Sequence, residues 1–313
     1  IVFANHGLKL EDMIGADYDD PRWEQLLEQI SLKEMAKLIG FGGYATQEVR
    51  SVDKPLTSDL DGPAGINGLV SGVSGVQYNS EVVIASTWNK DLAYKMGEYF
   101  GDEAIANEVA GVYAPAVNIH RTPFSGRNFE YYSEDPLLSG EMGSKVVSGA
   151  KSKGVYCYVK HFALNDQETN RSGVCTWSNE QAIREIYLKA FEIPVKEGKT
   201  TAIMSSFNRI GTVWAGGNTN LLNTVLRDEW GFNGMVITDY FGAGHMNQDQ
   251  AIRAGNDLML STMGGEPTTL STETNTGKQA MRQATKNILY TVANSVGMEI
   301  DKGGVASWVF LLA

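Results

Sequence analysis

Short apolar runs alternate with amphipathic stretches through most of this chain. That alternation restricts it to a mostly parallel sheet covered by helices. The strand-like runs end near Asp59–Asp61, Ser86, Asn118, His161, Phe207, Asp239 and Leu260. The helix-like stretches lie between or after them, at 89–107, 136–153, 179–197, 219–230, 247–254 and 277–295. In the last of these, Met281, Ala284, Ile288, Leu289 and Val292 form one apolar stripe. Near the start, Asp20-Pro21 opens a helix, with Asp as cap and Pro at the first helical position. Ser31 and Glu34 open a second as a capping box, which the glycines at 40–43 end. At 313 residues the pattern fits an α/β fold of the (β/α)8 TIM-like barrel type, with short extensions at both ends. Seven runs are visible, so the barrel is expected closed but irregular.

The expected organisation is a lead-in linker over residues 1–20, the barrel over 21–298 and an apolar tail over 299–313. Residues 264–277, rich in Gly, Pro, Thr and Ser, read as a loop. The first residue is not Met, and the tail turns apolar from Gly303 to Ala313 and stops. Both suggest a cut chain. A bilayer needs about 20 apolar residues, so this tail does not span one as it stands. The two locations it leaves open are the cytoplasm and a membrane reached through a truncated C-terminal segment.

Charge narrows the partners. There are 37 acidic against 26 basic residues, a net charge of -11, which disfavours nucleic acid and anionic membrane surfaces. A neutral substrate such as a sugar remains open. The two cysteines, Cys157 and Cys175, form no metal or redox spacing. The histidines His6, His120, His161 and His245 are scattered. No glycine-rich phosphate loop follows the early strands, so no metal and no cofactor are expected.

The polar residues gather at the ends of the apolar runs. Ser58-Asp59-Leu60-Asp61 ends the first; Asn118 through Arg121, then Gly126 through Glu130 and Ser133-Glu134-Asp135, follow another. Lys160-His161-Phe162, with Asn165, Glu168 and Arg171, follows the next. Ser205-Ser206-Phe207-Asn208 ends a further run, and Gly234-Met235-Val236-Ile237-Thr238-Asp239 is a buried strand ending on an acid. Alone, each cluster reads equally well as a solvated loop, a cap or an ion pair. Brought to one barrel mouth, they would surround a hydroxyl-rich ligand with charged hydrogen-bonding groups.

These pieces carry a resemblance. Asp61-Gly62-Pro63-Ala64-Gly65, Asn118 through Pro123, Gly126 through Pro136, Lys160-His161-Phe162, Met204 through Asn208 and Gly234 through Tyr240 resemble, in order, the barrel domain of glycoside hydrolase family 3. The resemblance covers roughly residues 20 to 295 and implies a retaining, exo-acting β-glucosidase-like enzyme that removes terminal non-reducing β-D-glucosyl residues. It implies Asp239 as nucleophile, with Asp61, Arg127, Lys160 and His161 on the sugar hydroxyls. Met204 would line the same subsite, and Tyr240 would form its wall. Lys160, Arg127 and a protonated His161 would favour the charged nucleophile. Phe207 stands where many members carry Tyr.

In most members the acid/base is a Glu on an α/β sandwich domain. That companion is expected upstream in the same gene. A branch with a His–Asp pair after the Lys-His-Phe motif is unsuitable, because Ala163-Leu164-Asn165-Asp166-Gln167-Glu168 contains no second His. Glu168 is the best internal acid, but it reads as structural, as do Glu130, Glu134 and Asp135. Arg127 could instead pair Glu130 or Asp135. The expected partner is a small β-glucoside or oligosaccharide, and homo-oligomers stay open. The rivals are a catalytically incomplete or sugar-binding barrel and an aldolase-type barrel using Lys160 as a Schiff base.

Overall fold

The computed structural model describes residues 1–68, 71–262 and 272–300. Its strands in chain order are β1 (Ala45–Thr46), β2 (Thr57–Asp61), β3 (Gly111–Tyr113), β4 (Tyr156–Phe162), β5 (Cys175–Thr176), β6 (Ala202–Ser205), β7 (Arg209–Ile210), β8 (Val213–Trp214) and β9 (Met235–Ile237). The main sheet runs β1-β2-β3-β4-β6-β9. Every pairing in it is parallel except β1 with β2. Strands β5, β7 and β8 form a small separate sheet.

The main sheet closes on itself. Thr238 N–H donates to the Leu258 carbonyl at 2.9 Å and Phe241 N–H to the Leu260 carbonyl at 2.7 Å. On the other side of that segment, Gly42 N–H donates to the Met259 carbonyl at 2.8 Å and Met259 N–H to the Ile39 carbonyl at 2.8 Å. The chain then runs directly into β1. The approach explains the glycine: a Cβ on Gly42 would stand 2.4 Å from Leu258 Cγ. The barrel is therefore present in irregular form, with the short antiparallel strand β1 as one of its staves.

Alternation sorts the strand residues to two faces. Leu60, Val112, Cys157, Val159, Ile203 and Val236 are buried in one apolar cluster with helix residues such as Phe100, Val146 and Leu222. Their neighbours face inward. Tyr158 of β4 donates to Asp59 of β2 at 2.7 Å and lies 3.6 Å from the Met235 sulfur of β9. Neither strand is next to β4 in the sheet, so these side chains meet across an enclosed interior. Asp59 is fully buried there, and burial pushes its carboxyl up to about 6, although the Tyr156 and Tyr158 hydroxyls and Lys54 pull the other way.

Two expectations need correcting. The run ending at Ser86 is helix Glu81–Ser86, not strand. A four-residue apolar run does not distinguish a buried strand from a helix turn. Only Ile84 and Ala85 of that run are buried, while Val82 and Val83 are exposed. The loop foreseen at 264–277 ends earlier, because helix Asn275–Ala293 begins with Thr274 Oγ1 accepting the Gly277 N–H. Residues 264–271 of that loop and 301–313 of the apolar tail lie outside the described residues. Among the described residues no helix is long and apolar enough to cross a membrane.

The first helix is Arg22–Glu28, one residue later than expected, with Pro21 at the cap position, although Asp20 still accepts the Arg22 N–H at 2.9 Å. The Ser31–Glu34 capping box is formed. The segment 219–230 is a π-type helix, Asn220–Glu229, and 179–197 carries one π turn, Ile183–Tyr187. In the lead-in segment, Leu10 and Met13 are buried in the same cluster as Trp23.

Candidate active site

Strand alternation decides which side chains reach the mouth. Asp61 stands two residues beyond Asp59, Lys160 two beyond Tyr158 and Asp239 two beyond Ile237, so each continues an inward-facing series, Asp61 at the last residue of β2, Lys160 near the end of β4 and Asp239 just past β9. His161 would follow the opposite face. The register between β4 and β6 shifts between Val159 and Phe162. Such an irregularity re-aims a side chain, and it lets Lys160 and its neighbour His161 line one cleft.

That cleft encloses about 330 Å³. It is lined by Asp61, Arg127, Lys160, His161, Met204, Asp239 and Tyr240, all seven residues named from sequence. Tyr44, Glu168, Arg171 and Leu260 complete it.

Asp239 sits at its centre. Its N–H donates to the Ser205 carbonyl at 3.0 Å, which fixes the residue against β6. Its Oδ1 accepts the Tyr240 N–H at 2.8 Å. Among the described residues its Oδ2 has no hydrogen-bond partner, and its side chain is 13% exposed. Burial raises the carboxyl to about 6; the Tyr240 N–H and the charges of Arg127, Arg171 and Lys160 counter it only in part. A carboxylate with one anchored and one open oxygen can act as nucleophile or base.

Three cations, Lys160, Arg127 and Arg171, and an uncharged imidazole surround it. Lys160 Nζ lies 3.6 Å from Asp61 Oδ1 and 4.0 Å from Glu130 Oε2, with only 5% of its side chain exposed. An ammonium set between two carboxylates suits hydroxyl recognition. Arg127 pairs Glu130 through Nε and donates through Nη2 to His161 Nε2 at 3.0 Å. At Glu130 burial is the largest single influence and raises the carboxyl, but Lys160, Arg127 and Arg171 together hold it below the usual range. The alternative pairing of Arg127 with Asp135 is not made; Asp135 caps helix Pro136–Ser152 by accepting the Leu137 and Leu138 N–H groups.

His161 differs from expectation. It is buried, and burial, followed by the charges of Arg127, Lys160 and Arg171, pushes its pKa well below the usual value. It is neutral near neutral pH and lends Asp239 no positive charge.

Tyr240 is 42% exposed at the rim, its hydroxyl 2.8 Å from Thr262 Oγ1. Met204 is buried in the floor. Arg171 pairs Glu168 at 3.1 Å and lies over the Phe207 ring at 4.9 Å, so Phe207 serves as a platform for a cleft cation. Sequence reasoning grouped Arg171 with the Lys160 cluster but did not choose it. Tyr44 was missed; the one signal was its place after Gly42-Gly43, where the barrel wall closes.

Comparison with known proteins agrees with this geometry. The family described as "Glycosyl hydrolase family 3 N terminal domain" matches residues 26–290. Beta-glucosidase A of Butyrivibrio fibrisolvens is 39% identical over 245 residues, covering 76% of this chain and 29% of that protein. An exo-alpha-(1->6)-L-arabinopyranosidase of Bifidobacterium longum is 40% identical over 245 residues, covering 75% and 32%. The crystal structure of a beta-glucosidase from Paenibacillus barengoltzii superposes with a TM-score of 0.86 at 33% identity, covering 97% of this chain and 36% of that one. The chain thus spans about a third or less of the curated relatives it matches.

Proposed function

The chain belongs to glycosyl hydrolase family 3, as its N-terminal barrel domain, and from that premise we propose that it is the sugar-binding and nucleophile-bearing part of a retaining, exo-acting β-glucosidase. The open Oδ2 of Asp239, facing a cleft of hydroxyl-binding groups, is the observation that carries this reading. In the first step Asp239 Oδ2 attacks the anomeric carbon and the glycosidic oxygen leaves with a proton from a second carboxyl group. Water then releases the glycosyl–Asp239 ester with inversion again, so configuration is retained overall. Asp61 accepts from sugar hydroxyls, Lys160 and Arg127 donate to them, and His161 accepts. Tyr240 and Met204 offer apolar surface to the ring. These contacts accelerate the reaction to the extent that they tighten as the ring flattens.

The proton donor is proposed to come from a companion α/β sandwich domain. Glu168, the internal candidate, gives one oxygen to Arg171 at 3.1 Å. A second reading concerns the sugar. The arabinopyranosidase relative is as similar as the glucosidase, and its named substrate is a five-carbon pyranoside. Turnover of aryl β-D-glucoside and aryl α-L-arabinopyranoside by the full-length protein tests both. The account expects kcat/KM to favour the glucoside and to vanish in Asp239→Asn. Preference for the arabinoside would replace the sugar, and intact turnover in Asp239→Asn would overturn the mechanism.

A further inference from the structure

Asn118 does not line the cleft, yet it holds a residue that does. It is buried beneath His161 and grips that residue's backbone at both ends. Its Nδ2 donates to the His161 carbonyl at 3.0 Å, and its Oδ1 accepts the His161 N–H at 2.7 Å. The two contacts fix which end of the amide is oxygen, because a backbone N–H only donates and a carbonyl only accepts. That same Oδ1 lies 3.4 Å from His161 Nδ1. An oxygen in that role asks for a proton on Nδ1. From the other edge of the ring, Arg127 Nη2 stands 3.0 Å from Nε2, and a guanidinium has no acceptor. It asks for a lone pair on Nε2. Two groups of unambiguous polarity therefore demand the same tautomer.

We infer that Asn118 is a positioning residue that holds His161 as the Nδ1–H tautomer, so that its Nε2 presents a lone pair to Arg127 and no proton to Asp239. The inference rests on the proposed role of Asp239. His161 Nε2 is 3.9 Å from Asp239 Oδ2, close enough for a protonated Nε2 to swing into a hydrogen bond. Such a bond would occupy Oδ2, which has no hydrogen-bond partner among the described residues. With the lone pair outward, Oδ2 stays open for attack, and the ring accepts from Arg127 or a sugar hydroxyl. The Tyr131 hydroxyl, 3.4 Å from Nδ1, accepts alongside Asn118. The charged groups facing the ring are Arg127, Lys160, Arg171 and Asp239, and the three cations oppose a second proton on it.

The test is ¹⁵N NMR of the full-length protein carrying ¹⁵N-histidine, with His161 assigned by the signals lost in His161→Gln. In the wild type Nδ1 should show the shift and coupled proton of a protonated ring nitrogen and Nε2 those of an unprotonated one, unchanged from about pH 5 to 8. Asn118→Ala should mix or reverse the tautomers and lower kcat/KM by about 100-fold. Asn118→Asp loses the donor to the His161 carbonyl but keeps the acceptor at Nδ1, and should keep the proton on Nδ1. A proton on Nε2 in the wild type, or an unchanged tautomer in Asn118→Ala, overturns the inference. The wild-type spectrum decides even if Asn118→Ala does not fold. It also reads the ring whether or not the protein cleaves a glucoside, so failure here is separate from failure of the proposed function.

Discussion

Asp239 Oδ2 and His161 Nε2 face each other at 3.9 Å without bonding, an acid oxygen opposite a ring nitrogen whose lone pair is already taken by Arg127. The pair looks like an ion pair by distance alone. Burial and the surrounding cations make the imidazole neutral, and the contact leaves the carboxylate open instead of neutralised.

An open, buried carboxylate costs stability, and that cost gives a first prediction. The folded pKa of Asp239, about 6, lies above its ordinary 3.8. The folded state therefore binds the proton more tightly, and the stability this confers is present below the unfolded pKa and is lost as pH rises through about 6. Asp239→Asn, uncharged and nearly isosteric, should abolish turnover and raise stability at pH 7 by about 1–3 kcal/mol. Urea titrations at pH 5 and pH 8 check it: the gain should be larger at pH 8. An equal or smaller gain there would show that the charge is not strained.

The same shift sets the acid limb of activity. kcat/KM reports ionisations of the free enzyme, so it should fall below about pH 6 as Asp239 is protonated. Lys160 is one of the cations that hold this pKa down. Lys160→Gln should move the limb to higher pH and lower the plateau by about 10- to 100-fold through loss of a charge-assisted hydrogen bond. A limb that stays in place would mean that Asp239 does not govern it.

Glu168→Gln separates a structural acid from a catalytic one. If the carboxyl only braces Arg171, substrates with good and poor leaving groups should lose rate by the same factor, and added azide should rescue neither. A loss confined to poor leaving groups, with azide rescue, would make Glu168 the proton donor.

Glu81 offers a check on the fold behind the cleft: it does not line it, but it feels the charges of Glu130 and Lys160. It is fully buried at the start of helix Glu81–Ser86, and neither carboxylate oxygen has a partner among the described residues. Burial lifts its pKa to about 8 from 4.5, so its contribution to stability is held at low pH and lost as pH rises through about 8. Glu81→Gln should flatten the pH dependence of the melting temperature over that window, with a gain on the order of 3–5 kcal/mol at its alkaline end. Melting curves from pH 5 to about 8.5 measure it.

Much of this was legible because a strand's period is two. Met235, Ile237 and Asp239 share a face by counting, and so do Tyr156, Tyr158 and Lys160. Counting also predicted that the clusters would meet, since parallel strands end on one side. It failed where the chain breaks its own period. His161 joins Lys160 in the cleft only because the β4–β6 register shifts, which no local pattern announces. Val82 to Ala85 was misread because four apolar residues carry no period at all. The neutrality of His161 depends on burial and on three cations, Lys160 on the same strand and Arg127 and Arg171 from separate loops, which gather around the ring only in the folded barrel.

The central claim is that Asp239 forms the glycosyl bond, and a fluorinated glucoside tests it most directly. A 2-fluoro sugar slows both steps, and a dinitrophenolate leaving group needs no proton, so the attack proceeds even without a well-placed acid and the intermediate accumulates. Peptide mass spectrometry of the inactivated full-length protein should find one added fluoroglucosyl mass, on the peptide containing Asp239 and lost in Asp239→Asn. Inactivation with the mass on another carboxylate, or turnover with no adduct on Asp239, would contradict the account.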